Sequence, residues 1–273
     1  MQIGIMSRTF SRATLEEELD AVVSHGIHCM QFDLSSAGRI SLSDEIEASL
    51  CDRIRGELAS REISMVAVNG MFNMIDPDTD KRQRGLERLG VVASACKALD
   101  TSVVALCTGS RNPRSMWLSH PDNNTPEAWT DLIASMTQAV QIAEDRDITL
   151  AFEPEVSNVV DSAQKARRLL DEVASPRLKV IMDAANIFHS GELPRMREIL
   201  DDAFELLGED ISFAHAKDLD HDGEAGHLAA GTGLLDYKQY LSLLDRFVPS
   251  VPLILHGLSE QQVPDCVAFL RRE

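Results

Sequence analysis

Short apolar runs recur along the chain, and most are unbroken rather than alternating between apolar and polar positions. They occupy residues 2–6, 29–33, 64–68, 102–107, 149–153, 178–183, 211–215 and 252–256. An unbroken run of this length is how a parallel strand buried on both faces reads. Between the runs the apolar residues fall at helical spacing, over 44–61, 80–99, 126–146, 161–173, 192–207, 236–247 and 260–271. A first helix opens at Thr14 with Glu17 three residues on, the spacing of a capping box, and closes at His25-Gly26. Pro126 after Thr125 suits a first-turn proline, and Asp161-Ser162 and Ser259-Glu260 are helix-start signals. Strand-then-helix repeated eight times predicts an α/β fold of the (β/α)8 TIM barrel type, a single domain over 1–273. Its usual size is about 250 residues. The rival, a doubly wound open sheet, would need a glycine-rich phosphate fingerprint after an early strand, and the chain has none.

The last four runs each close on a residue that is costly to bury without a partner: Glu153, Asp183, His215 and His256. In a (β/α)8 barrel these positions share the rim where active sites lie. Two carboxylates and two imidazoles suit one divalent metal, with Mn²⁺, Zn²⁺, Co²⁺ and Mg²⁺ all open. Further polar residues fall at the same end. Glu155 follows Glu153 and is either a substrate-facing carboxylate or a solvated loop acid. Asn186 follows Asp183 and suits a substrate hydroxyl or the orientation of a ligand. Lys217 suits an anionic or hydroxylated substrate, and Asp218 would fix the tautomer of a nearby histidine. Arg111 and His120 in the loop 108–125 and His227 in the loop 216–235 are further substrate-binding candidates, since both long loops would overhang the site. Arg8, Gln31, Asp33, Asn69, Thr108 and Trp117 add to the polar rim. Gly231 and Gly233 mark a tight turn, with a phosphate cradle as the weaker reading.

Charge narrows the partners. The net charge of −18 repels nucleic acid and anionic membranes, although a local Arg or Lys could still hold an anionic substrate. No apolar stretch is long enough to span a membrane, and the N-terminus lacks the layout of a signal peptide. Five scattered cysteines with no CxxC pair fit reduced thiols. A cytoplasmic protein is expected, free of membrane and nucleic acid, with self-association into a homo-oligomer left open.

Ala151-Phe-Glu153-Pro-Glu155, Val180-Ile-Met-Asp183-Ala-Ala-Asn186, His215-Ala-Lys217-Asp218 and Gly231-Thr-Gly233-Leu-Leu-Asp236-Tyr237 together resemble the xylose isomerase-like TIM barrel superfamily. The nearest likeness is to its sugar phosphate isomerase/epimerase group, which includes ketose 3-epimerases, inosose dehydratases and hydroxypyruvate isomerases. That resemblance implies one divalent metal held by Glu, Asp, His and a final Glu. The first three match Glu153, Asp183 and His215, whereas the eighth strand ends in His256. A mechanism in which two carboxylates face each other across a sugar carbon therefore does not carry over intact. The implied activity is isomerisation or epimerisation of a small sugar or polyol, phosphorylated or not, through an enediolate. Glu153 or Glu155 would be the base, and His256 a ligand or the opposing acid. A lyase of the inosose dehydratase type is the alternative, and a sugar-binding barrel without turnover is the reading from another class. The superfamily also includes apurinic endonucleases with three zinc ions. Asn69, Cys107-Thr108 and Asn186 stand where their extra ligands would be expected and His227 is the main survivor, so DNA cleavage is not expected.

Overall fold

In the computed structural model, which describes residues 1–272, the eight apolar runs pair into a closed parallel barrel. Its strands are β1 (Gln2–Met6), β2 (Cys29–Phe32), β3 (Ser64–Asn69), β4 (Val103–Cys107), β5 (Thr149–Glu153), β6 (Leu178–Asp183), β7 (Ile211–Asp218) and β9 (Pro252–Leu255). Neighbours in sequence pair in order, β9 joins β1 to β7, and the β6–β7 pairing closes the ring. The inner faces leave no room at Gly4. A Cβ there would meet Ile254 Cδ1 at 2.6 Å and the Cys29 carbonyl oxygen at 2.8 Å, so glycine allows β1, β2 and β9 to approach.

Helices α1 (Leu15–Ser24), α2 (Ala48–Ser60), α3 (Thr79–Leu99), α4 (Pro126–Arg146), α5 (Ala163–Val173), α6 (Met196–Leu207), α7 (Tyr237–Phe247) and α8 (Val263–Leu270) surround the barrel. Their starts are set locally. The side chains of Thr14, Thr125 and Ser162 accept from the backbone N–H groups of Glu17, Ala128 and Lys165. Gly26, at φ +67°, ends the first helix as its sequence suggests. Where Ser259 signals a start, the chain first makes a 3-10 turn, and α8 begins only at Val263.

The seventh strand runs three residues past its predicted end at His215. Beyond the barrel it becomes one arm of a hairpin, pairing antiparallel with β8 (Leu228–Ala229) through Lys217↔Ala229 and Asp218↔Leu228. That hairpin carries the long loop over the barrel mouth. All five cysteines are free and buried. Among the described residues no helix is long and apolar enough to cross a membrane.

One buried acid lies away from the mouth chemistry. Glu18 on α1 is buried, its Oε1 has no hydrogen-bond partner, and burial raises its carboxyl from 4.5 to about 7, with Asp33 adding to the shift. Between those values the folded state holds a proton that the unfolded chain has lost. Stability therefore falls as pH rises through this window and stays lowered above it. Glu18→Gln is expected to stabilise the barrel at pH 8 by about 1–2 kcal/mol, a figure discounted for solvent screening, and by almost nothing at pH 4. Thermal melts of both proteins across this range check it; a constant difference in Tm would mean that the proton is not the cause.

Candidate metal centre and active-site cavity

The ends of β5, β6 and β7 carry Glu153, Asp183 and His215, and His256 follows β9 by one residue. Register brings them together. Asp183 stands opposite His215, and His215 opposite Ile254, two residues before His256. The His256 N–H continues the ladder by donating to the Ala216 carbonyl. One ligand atom from each of the four lies within 4.8 Å of the others. His215 Nδ1 is 3.3 Å from Glu153 Oε1 and 3.5 Å from Asp183 Oδ2, and His256 Nδ1 is 4.0 Å from Asp183 Oδ2. Ligand atoms around a tetrahedral zinc are about 3.3 Å apart, from bonds of about 2.0–2.1 Å.

Two of these atoms test whether a cation fits. Asp183 Oδ2 and His256 Nδ1 are buried with no hydrogen-bond partner. Lys217 Nζ, 3.2 Å from Asp183 Oδ2, offsets part of that charge, whereas His256 Nδ1, 4.0 Å from the same oxygen, has no partner at all, and unpaired buried polar atoms are rare and costly. A hard oxygen and a borderline nitrogen aimed at one point are what a divalent cation would satisfy, so the residues fit the metal.

Charge supports the same arrangement. Burial would raise the Asp183 carboxyl, but Lys217, whose Nζ is 3.2 Å from Oδ2, and His215 pull it well down. Burial would lower His215, yet Glu153 and Asp183 push it up to about 9. His256 is held well below the usual imidazole value, by burial first and then by the charges of Lys217 and His215. It is thus neutral near pH 7 and keeps a lone pair to offer.

Behind His215 runs a buried amide chain. His215 Nε2 lies 2.9 Å from Gln31 Oε1, Gln31 Nε2 donates to Asn69 Oδ1 at 2.7 Å, and Asn69 Nδ2 donates to Asp33 Oδ2 at 2.8 Å. Asp33 ends the chain as the charged acceptor. Because Gln31 uses its NH₂ on Asn69, only its oxygen faces the imidazole. At a value of about 9 the imidazole carries a proton on each nitrogen near neutrality; the Gln31 oxygen holds the one on Nε2, so the proton a metal would displace is the one on Nδ1, which faces the cluster. Gln31→Leu is expected to weaken divalent metal binding by about 10–100-fold with the barrel folded, as measured by metal titration. Unchanged affinity would show that the chain does not orient His215. Gln31 and Asn69 stood in the sequence only as rim polars.

Asn186 orients a ligand. Its Nδ2 donates to Glu153 Oε1 at 2.7 Å, while its Oδ1 takes the Gly226 N–H. Above the cluster opens a cavity of about 360 Å³, whose walls include Arg8, Met71, Trp117, Glu155, Lys217 and Ala225. Glu155 is buried, not a solvated loop acid, and burial with the neighbouring Glu153 charge raises its carboxyl to about 8. Lys217 stays charged: burial opposes this, but Asp183, Glu153 and Glu155 outweigh it.

Four expectations are corrected. Arg111 does not reach the cavity, because its guanidinium pairs with Asp131 and donates to the Ile75 carbonyl. His120 caps a turn through the Asp122 N–H and does not line the cavity either. His227 is exposed beside Asp220, away from the lining. Asp218 touches no histidine; it accepts the N–H groups of Leu219, Gly231, Gly233 and Leu235. The turn read as a phosphate cradle is therefore filled by the chain's own carboxylate.

The family model described as "Xylose isomerase-like TIM barrel" matches residues 19–272. The chain belongs to this family. No curated protein matches it in sequence. Solved structures do match it in fold. One is the 3-keto-D-glucoside 4-epimerase YcjR from E. coli, with 15% identity, 100% of each chain covered and a TM-score of 0.75. A second is the IOLI protein with a bound zinc atom, at 16% identity, 99% and 96% coverage and 0.75. A third is the probable 3-DHS dehydratase AsbF from Bacillus anthracis, at 12% identity, 99% of each chain and 0.77. At such identities the likeness carries the barrel, and the reaction must be argued from the site.

Proposed function

We propose that this barrel is a divalent-metal-dependent isomerase of a small sugar or polyhydroxy carbonyl compound. The observation that carries the proposal is the convergence of Glu153, Asp183, His215 and His256 at the floor of a cavity that also holds a protonatable carboxyl, Glu155. A bound metal would draw electron density from adjacent carbonyl and hydroxyl oxygens and so acidify the neighbouring C–H.

The protein side chains do the rest. Glu153 is held by Asn186 and His215, so the carboxyl left to move a proton is Glu155. Its raised pKa places it where a group can both take and return a proton near neutrality. Lys217 is a buried ammonium donor for a substrate oxygen. The cavity of about 360 Å³ suits a small ligand.

One base on one face can carry a proton between two neighbouring carbons, which is isomerisation. Epimerisation needs proton carriers on both faces of a single carbon, and here the eighth strand supplies His256 in place of a second carboxylate. Dehydration is the second reading. The same departure from a paired-carboxylate site favours it, because loss of a β-hydroxyl needs only one base and a nearby proton donor such as Lys217. Incubation of the metal-loaded protein with a ketose and inosose panel in deuterated solvent separates these outcomes. Mass retained with deuterium at the shifted position supports the isomerase; loss of water supports the lyase. No exchange and no turnover across the panel, with metal bound, would leave a barrel that binds without reacting and would refute the proposal.

A further inference from the structure

A second group of metal-type side chains stands outside the cavity. Asp220, His221 and His227 are exposed, and one ligand atom from each lies within 4.8 Å of the others. Asp220 Oδ1 is shared: it is 2.5 Å from His221 Nδ1 and 3.7 Å from His227 Nε2. The imidazole centroids are 5.4 Å apart. The other nitrogen of His221 faces Glu224, with Nε2 3.7 Å from Oε2. A carboxylate behind the free nitrogen of a ligating histidine is the usual support of a zinc-bound imidazole.

The loop is built to bring these groups together. It leaves β7 at Asp218 and returns at β8, and His221 and His227 lie on its two limbs. Two glycines press the loop onto the segment after β6. Gly223, at φ +87°, donates to the Phe188 carbonyl, and a Cβ there would lie 2.2 Å from Ser190 Oγ. Gly226 donates to the Ala185 carbonyl, and a Cβ there would lie 2.5 Å from the Ala185 Cβ. Neither position admits a side chain without displacement. Asp222 adds a third tie by accepting the Leu193 N–H. The backbone is thus tied down between His221 and His227, and the side chains need move only about 1 Å to reach the spacing of about 3.3 Å between zinc ligands.

We propose that Asp220, His221 and His227 form a second, external zinc site, with solvent completing the coordination. Two imidazoles and a carboxylate match zinc's preference for nitrogen and oxygen donors. Zinc there clasps the two limbs of the loop whose Ala225 lines the cavity, and so holds that wall in place.

The test is zinc titration of the full, untagged chain by calorimetry, for wild type, His221→Ala/His227→Ala and Asp183→Ala/His215→Ala. Two equivalents are expected for wild type and one for each double variant. Glu224→Gln should weaken the external site about tenfold and leave the internal one unchanged. The external substitutions fall on exposed side chains, so a matching thermal melt in the presence of EDTA confirms an intact barrel. If His221→Ala/His227→Ala binds as many equivalents as wild type, the external site does not exist. If wild type binds a single zinc that only this variant loses, the external site stands and the internal site proposed above is the one that fails.

Discussion

Replacing Asp183 by Ala is expected to strip the barrel of its internal divalent metal, with affinity falling by on the order of 100-fold or more. Loss of a supporting residue alone costs about 10–100-fold, and Asp183 offers a ligand oxygen to the cluster itself. The metal-free protein should suffer as well. Asp183 is the closest counter-charge to the buried Lys217 ammonium, at 3.2 Å, and removing one partner of a buried pair costs about 3–5 kcal/mol. These two effects are separable. Asp183→Ala/Lys217→Met removes the stranded ammonium and should recover most of the stability in EDTA, but not the metal. Elemental analysis with melts in EDTA and in excess metal reads both. Wild-type metal content in Asp183→Ala would overturn the ligand assignment. Low metal in the single variant that returns in the double variant would mean that Asp183 acts only through Lys217.

The barrel could be read from the sequence because a parallel strand covered on both faces has a one-dimensional signature. The runs ending at Glu153 and Asp183 have the observed bounds for that reason. Ends set by tertiary pairing could not be read so closely. β7 continues to Asp218 because the two-residue strand Leu228–Ala229 folds back on it, and two residues carry no periodicity. The second helix starts at Ala48, not at residue 44. The site divides along the same line. Four strand-end residues were visible because their chemistry interrupts an apolar pattern. Arg111 looked equally free, and only the fold brings Asp131 to it. Gln31 reaches its histidine across 184 residues, a pairing that no local spacing encodes.

Glu155→Gln is expected to lower turnover by about 10²–10⁴-fold while leaving metal content and fold unchanged. The amide keeps the size and shape of the carboxyl but cannot carry a proton. Glu155 has no place in the cluster of ligand atoms, so the metal should stay. The pH profile gives a second readout. A carboxyl acting as base must be ionised, so the rate should rise with pH as Glu155 loses its proton. Burial and the Glu153 charge hold that carboxyl up near 8 in the metal-free barrel. A cation bound to Glu153 favours the ionised form, so the rising limb should fall at or below pH 8 and above the ordinary carboxylate value of 4.5. The residual activity of Glu155→Gln should lack that limb, whereas Glu155→Asp, which keeps an ionisable group on a shorter arm, should retain it at a lower rate. Metal analysis alongside kcat across pH 5–9 measures all of this. A Glu155→Gln protein with full metal, full rate and the wild-type limb would place the proton on another group. His256, neutral and beside the same cluster, would then be the residue to test next.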